Sequence, residues 1–243
     1  VQARQLVNII YGVARSGRAQ SMLTLTEMLA KKLLLRLEEC NAQELANSAW
    51  AFAKAGYLDP EFYKSLARIA EKRASSFNAQ ELANTVWAYA TVGQSDEELF
   101  RALARAVEKS LNDFSVQGLA NTAWGFSKLG IVDVQLFASL AQTSEWYIGS
   151  FNAQDVANMA FAFAKAGQTD PHFFSALARS AEQCAPYFNA QGLATTVWAF
   201  AKAGFSDGQL FTALARAAEQ HITDFHGQDI ANIAWAFAKA CHV

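Results

Sequence analysis

The stretch FNAQELANTVWAYATVG, residues 77–93, decides the fold, because closely similar stretches recur along the chain at a fixed distance. From residue 40 onward, each copy starts 37 residues after the previous one without an insertion. Such self-similarity is the sequence signature of repeat architectures. The copies are CNAQELANSAWAFAKAG (40–56), FSVQGLANTAWGFSKLG (114–130), FNAQDVANMAFAFAKAG (151–167), FNAQGLATTVWAFAKAG (188–204) and FHGQDIANIAWAFAKAC (225–241). A divergent copy, VQARQLVNIIYGVARSG (1–17), opens the chain, offset by two extra residues.

Each repeat carries start and stop signals for two helices. Asn41 followed by Glu44 fits a capping box at the start of the first helix. Gly56 lies where a left-handed C-terminal cap is expected, and Asp59 is positioned to cap a second helix. Two helices of about four turns with short connections fill one repeat. The sequence therefore predicts an all-α fold, a right-handed α-solenoid of stacked helical hairpins.

The repeats follow one another without a linker or a change in composition, so we expect a single solenoid over residues 1–243. The last repeat contains only a first helix, so we expect either a longer array or a covering partner at that end. The predicted repeats are 1–39, 40–76, 77–113, 114–150, 151–187, 188–224 and a partial repeat 225–243.

Composition limits the functional classes. The chain is 52% hydrophobic, but polar residues interrupt every apolar run, so no membrane span is expected. A formal net charge of −2 argues against a protein held to nucleic acid by bulk charge, although a local basic stripe is compatible with it. No targeting segment is recognisable in this chain, and the three cysteines are too scattered for a disulfide framework.

The skeleton Q-x-L-A-N-x-x-W-A-F-A-K-x-G, as in residues 43–56, resembles the octotricopeptide family. The 37-residue spacing is closer still to the related heptatricopeptide repeats. This resemblance covers essentially the whole chain and implies an RNA-binding solenoid of mitochondria or plastids. Members of those families act in organellar transcript processing, stability and translation, or as parts of mitochondrial ribosomes. Many members end in a RAP domain, and nothing in this chain corresponds to it.

One face of the first helix is polar. Gln43, Asn47, Trp50 and Lys54 are spaced i, i+4, i+7 and i+11, which places them on one narrow face. Amides can hydrogen-bond base edges, and a row of lysines can follow a phosphate backbone, with about one base per repeat. The predicted RNA-binding residues are Gln43, Asn47, Lys54, Gln80, Asn84, Gln117, Asn121, Lys128, Gln154, Asn158, Lys165, Gln191, Lys202, Gln228, Asn232 and Lys239.

The polar and aromatic residues of this face also have a structural interpretation, in which they join neighbouring repeats, and it stays open beside RNA binding. The amides would also serve as a ladder that joins neighbouring repeats, and the recurring tryptophans favour packing between repeats over base stacking. Because near-identical repeats cannot encode a varied sequence, we expect base discrimination at the residue before each glutamine and at two positions where the repeats differ. These two positions are Glu44, Glu81, Gly118, Asp155, Gly192 and Asp229, and Ser48, Thr85, Thr122, Met159, Thr196 and Ile233.

Catalysis is not expected. The histidines occur singly, no Cys/His spacing suits zinc, and no phosphate-binding loop or nucleophile motif occurs, so no cofactor and no small-molecule substrate are predicted. Two functions remain. One is an organellar protein that binds single-stranded RNA or rRNA, and the other is a protein–protein scaffold within a large assembly such as a mitochondrial ribosome.

Overall fold

The structure, a computed structural model, describes residues 2–240 except for the side chains of residues 19 and 20. Within this range it contains thirteen α-helices and no strand, which confirms the predicted all-α helical solenoid. The chain divides into two compact units, Val1–Gly118 and Leu119–Val243, and α7 crosses the division. That the repeats form one continuous right-handed array stays a prediction.

First helices alternate with second helices along the chain. The first helices are α1 (Ala3–Arg15), α3 (Ala42–Lys54), α5 (Ala79–Val92), α7 (Val116–Lys128), α9 (Ala153–Ala166), α11 (Ala190–Lys202) and α13 (Gly227–Ala240). The second helices are α2 (Leu23–Leu34), α4 (Pro60–Arg73), α6 (Glu97–Ser110), α8 (Val134–Glu145), α10 (Pro171–Cys184) and α12 (Gly208–Gln220). Most second helices are followed by a short 3₁₀ turn that leads into the next repeat.

The helix ends confirm the predicted start and stop signals. The Asn41 side chain accepts a hydrogen bond from the Glu44 amide, and the Glu44 carboxylate accepts one from the Asn41 amide, both at 2.9 Å. Asp59 caps α4 by accepting from the amide of Glu61 at 3.0 Å. Gly93 ends α5 with φ 71°, a left-handed conformation in which an L side chain is strained. These local signals recur in other repeats and fix where the helices begin and end.

Each unit has two layers of helices. In the N-terminal unit α3 packs between α1 and α5, and α4 packs against α6; in the C-terminal unit α11 packs between α9 and α13, and α10 against α12. Small residues such as Ala46 and Ala49 are buried where the first helices meet, and alanine permits close approach. Between the layers, Phe52 is fully buried and its ring lies 4.5 Å from that of Phe62. The core is therefore an aromatic layer between first and second helices.

One buried hydroxyl is a local weakness of this core. Tyr63 is 1% exposed, and its hydroxyl has no hydrogen-bond partner among the described residues. A buried polar group without a partner lowers stability by about 1–3 kcal/mol. The equivalent residue in the four following repeats is phenylalanine: Phe100, Phe137, Phe174 and Phe211.

Tyr63→Phe should therefore raise the free energy of unfolding, by about 1 kcal/mol. Urea denaturation of the two proteins at equal concentration measures the difference. Tyr89→Phe is the matched control, because the Tyr89 hydroxyl donates to the Tyr63 carbonyl at 2.8 Å. The control should lower stability, and a loss of stability in Tyr63→Phe as well would contradict the prediction.

Candidate nucleic-acid interface

The predicted stripe of the first helix faces solvent. In α3, Gln43 and Lys54 are exposed and Asn47 and Trp50 are half-buried, whereas most of the remaining side chains are buried. We call the equivalent surface of all the first helices the polar–aromatic face. Its exposed glutamines are Gln43, Gln80, Gln117, Gln154, Gln191 and Gln228, and its half-buried asparagines are Asn47, Asn84, Asn121, Asn158 and Asn232. Its lysines are the exposed Lys54, Lys128, Lys165 and Lys202 and the half-buried Lys239.

The aromatic residues of this face form rows. In the N-terminal unit the Trp50 ring lies 5.1 Å from Tyr11 and 6.5 Å from Trp87 between centroids. In the C-terminal unit Phe161 and Trp198 are 5.7 Å apart. The tryptophans thus contact neighbouring repeats, as expected, but they lie at the surface edge of the contact. The interior position is filled instead by Phe52 and its equivalents.

Cationic side chains lie over these rings. The Lys128 Nζ is 4.5 Å from the centroid of Trp124, and the Lys165 Nζ is 5.5 Å from that of Phe161. The cation and the ring are four residues apart on one helix, so both project from the same face. Cation–π attraction at exposed sites is worth about 0.5–1 kcal/mol and restricts where each ammonium group lies. In these repeats the aromatic ring therefore helps to position the lysine.

The amide ladder occurs at one step. Asn158 Nδ2 donates to Asn121 Oδ1 of the preceding repeat at 3.5 Å, a long contact. At the last helix, Gln228 Nε2 donates instead to Asn232 Oδ1 in its own helix at 3.1 Å. Among the described residues, the side chains of the other amides of the face form no hydrogen bond to one another, so they are available to solvent or to a ligand.

Lys128 and Lys165 are close to one another. Lys165 Nζ donates to the main-chain carbonyl of Lys128 at 3.2 Å, at the C-terminal end of α7. Partial desolvation, and next the positive charge of Lys165, lower the pKa of Lys128 from its ordinary value. Across residues 2–240, no ion pair within 4.0 Å joins a lysine of the polar–aromatic face to a carboxylate. Adjacent cations without counter-charges favour an anionic ligand.

The second predicted base-discriminating position is buried. Ser48, Thr85, Thr122, Met159 and Thr196 are each at most 1% exposed. The hydroxyl of Ser48 donates to the Glu44 carbonyl at 2.6 Å, and that of Thr196 donates to the Gly192 carbonyl at 2.8 Å. Side chains buried in this way do not reach a ligand on the surface, which argues against the predicted base discrimination by these five residues. Ile233 on α13 is half-buried, and its role stays a prediction.

The first predicted base-discriminating position belongs to the helix starts. The carboxylates of Glu44, Glu81, Asp155 and Asp229 accept hydrogen bonds from main-chain amides three residues earlier. Burial raises the pKa of Asp155. At Gly118 and Gly192 a Cβ would lie 3.1 Å from Phe114 and 3.0 Å from Asn189, so little space is left for a side chain. This position therefore serves helix capping where it carries a carboxylate, and the predicted base discrimination there stays a prediction.

The structure adds four residues that the sequence-based set lacks. Arg4, Asn8, Tyr11 and Arg15 on α1 are equivalent to the glutamine, asparagine, tryptophan and lysine of α3. Arg15 lies 6.0 Å from the Tyr11 ring centroid, which repeats the cation–ring arrangement. These four residues could have been found from the divergent copy at residues 1–17, because its substitutions keep the chemical character of each position.

Other kinds of site find no support in the part of the chain that is described. Residues 2–240 contain no group of three or more His, Cys, Asp or Glu side chains arranged to hold a metal ion. In the same range, no helix has both the length and the apolar character that a membrane crossing requires.

Comparison with known proteins identifies the family. No curated protein matches the chain. A family model described as RNA-editing substrate-binding complex 6 protein matches residues 1–242, almost the full length. The match supports a helical repeat family of the RNA-binding kind, but it does not support the octotricopeptide or heptatricopeptide families in particular. The chain belongs to the RNA-editing substrate-binding complex 6 protein family.

Proposed function

We propose that this chain is an RNA-binding subunit of a mitochondrial RNA-editing complex. In the proposal, single-stranded RNA lies along the polar–aromatic face of each unit. The family description supports an RNA-editing complex, and with it the mitochondrial alternative of the sequence-based prediction. It gives no support to a plastid location or to a ribosomal role. The proposal requires no catalytic residue in this chain.

The observation that carries the proposal is a pair of adjacent ammonium groups without a carboxylate partner. Lys128 and Lys165 are adjacent, lie over aromatic rings and form no ion pair within the described residues. Exposed Gln154 and half-buried Asn158 lie on the same helix face as Lys165. A cation beside amide donors and acceptors suits a nucleotide, since the cation can contact the phosphate and the amides can contact a base edge.

The geometry favours contacts to the RNA backbone over base stacking. Trp50 has aromatic neighbours in the repeats on both sides, and Trp124 carries Lys128 over its ring. These contacts occupy ring surface that a base would need for stacking. The solvent-facing positions also vary little between repeats, with Thr91 in place of lysine and Thr195 in place of asparagine among the exceptions. We therefore propose RNA binding with weak sequence preference.

The test is the salt dependence of RNA affinity. Each phosphate contact to a single strand contributes about 0.7 to the slope of log K against log salt concentration. Lys128→Ala, Lys165→Ala and Lys202→Ala combined should therefore reduce the slope by about 2. Fluorescence anisotropy with a labelled single-stranded oligonucleotide at several salt concentrations measures it.

The matched control removes the same charge from the second helices. Arg105, Arg179 and Arg216 are exposed on α6, α10 and α12, and their combined replacement by alanine should leave the slope unchanged within error. Equal slopes for the two triple variants would show that overall charge, and not the polar–aromatic face, determines binding. No measurable RNA binding by the unaltered chain would reject the proposal.

A second candidate function is a protein scaffold in the same complex, without sequence-specific RNA readout. The contacts from Lys165 to the Lys128 carbonyl and from Asn158 to Asn121 favour it, because they use polar groups to join repeats. A scaffold predicts that the lysine variant loses stability and keeps its association with the complex, whereas an RNA-binding subunit predicts loss of RNA at unchanged stability.

A further inference from the structure

The helix α8 differs from the other second helices in its charge. It contains no lysine or arginine, and Ala138, Gln142 and the adjoining Trp146 occupy positions that are cationic in other repeats. The equivalents are Lys64 and Arg101 for the first, Arg68, Arg105, Arg179 and Arg216 for the second, and Lys72 and Lys109 for the third. Of these differences, Gln142 sets α8 apart most clearly, because four other repeats carry arginine at its position.

A groove lies beside the same helix. It has a volume of about 520 Å³ and lies between α8 and the segment that leads into α10. Ala138, Ala141 and Gln142 line one side, and Thr169 and Asp170 line the other. Its floor is formed by the aromatic core residues Phe137, Phe163 and Phe173. A lysine or arginine at the positions of Ala138 and Gln142, as in other repeats, would project beside this space.

The rim of the groove is acidic, and an exposed aromatic pair follows it in the sequence. Glu145 and Asp170 both line it, and no lysine or arginine does so among the described residues. Glu145 also contacts His172 Nδ1 at 3.0 Å. Directly after Glu145, Trp146 is 82% exposed and Tyr147 is 42% exposed. A tryptophan exposed to this extent contributes almost nothing to the stability of its own chain.

We infer that this groove binds an arginine-bearing segment of a protein partner. A guanidinium group can pair with a carboxylate and also lie flat on an indole ring. Glu145 lines the groove and the exposed Trp146 is the next residue in the sequence. The carboxylates disfavour RNA at this place, so the groove is distinct from the polar–aromatic face. The inference does not depend on the proposed RNA binding.

A labelled nine-residue peptide of alternating arginine and alanine provides the probe. The double variant Gln142→Arg with Trp146→Lys restores the residues found in other repeats, and it should weaken peptide binding at least tenfold. Trp146→Ala alone, which changes no charge, should weaken it at least threefold. Fluorescence anisotropy measures both, and thermal unfolding verifies that the variants remain folded.

The matched control places the same added charge elsewhere on the C-terminal unit. Gln183 and Gln220 are exposed and occupy the position of Trp146 in the next two repeats, so Gln183→Lys with Gln220→Lys should change peptide affinity less than twofold. A glutamate–alanine peptide of equal length should not bind. The inference is overturned if the arginine peptide fails to bind, or if the control weakens binding as much as the groove variants do. RNA affinity should be no lower in the groove variants, which separates this result from the test of the proposed function.

Discussion

Phe163→Ala should lower the free energy of unfolding by about 3–5 kcal/mol, the usual range for removal of a large buried aromatic side chain. Phe163 is 2% exposed, and its ring lies 5.1 Å from Phe137 and 4.5 Å from Phe173. The cavity left by its removal is bordered by helices of both layers, so it cannot close without moving a helix. Urea denaturation followed by circular dichroism measures the loss.

The matched variant is Phe161→Ala, two residues earlier on the same helix. Phe161 is half-buried on the polar–aromatic face, so its removal should cost only about 1–2 kcal/mol. It should also displace Lys165, whose Nζ lies 5.5 Å from the ring centroid, and so lower RNA affinity. If both variants lost the same stability, Phe161 would be as important to packing as Phe163. That result would contradict the placement of the aromatic row at the surface edge of the contact between neighbouring repeats.

A second large effect is expected at the buried threonine of α11. Thr196→Asn should destabilise the protein by about 2–5 kcal/mol, because it adds volume to a packed site and buries an amide without partners. Thr196 is fully buried, and its hydroxyl donates to the Gly192 carbonyl at 2.8 Å. The relative affinity for different RNA homopolymers should stay unchanged, because no base contacts this residue.

The control for this variant is the neighbouring residue. Thr195 is half-buried and occupies the position at which most repeats carry asparagine, so Thr195→Asn should change stability by less than about 0.5 kcal/mol. Anisotropy with labelled homopolymers and urea denaturation supply the two measurements. A change of RNA preference in Thr196→Asn at unchanged stability would restore the original hypothesis that this position discriminates bases.

The repeats, the helix boundaries and the caps were predictable because their causes are local. Asn41 and Glu44 form a capping box from within four residues of sequence, and Gly93 adopts the left-handed conformation that its place after the helix requires. The spacing of Gln43, Asn47, Trp50 and Lys54 also predicted the solvent-facing stripe, because it follows from the helical period alone.

The width of that stripe could not be predicted from one helix. A first helix in the middle of a unit is covered by neighbouring first helices on two sides and by second helices below. Position 48 directly follows Asn47, but consecutive residues of an α-helix are rotated by about 100° about its axis. The side chain at position 48 therefore lies in the contact with a neighbouring helix. The groove beside α8 was missed for a related reason, since Gln142 and Trp146 become informative only when the space beside them is known.

The rows of rings and cations give the protein an internal optical signal. Five of its six tryptophans lie on the polar–aromatic face, and Trp50, Trp87, Trp124 and Trp198 there are half-buried. Indole emission depends on the polarity and charge of its surroundings, and Lys128 lies 4.5 Å from the Trp124 ring centroid. A ligand that draws the ammonium groups away from the rings therefore alters the emission of the native chain. Binding at this face can be followed without attaching a dye to the protein or to its partner.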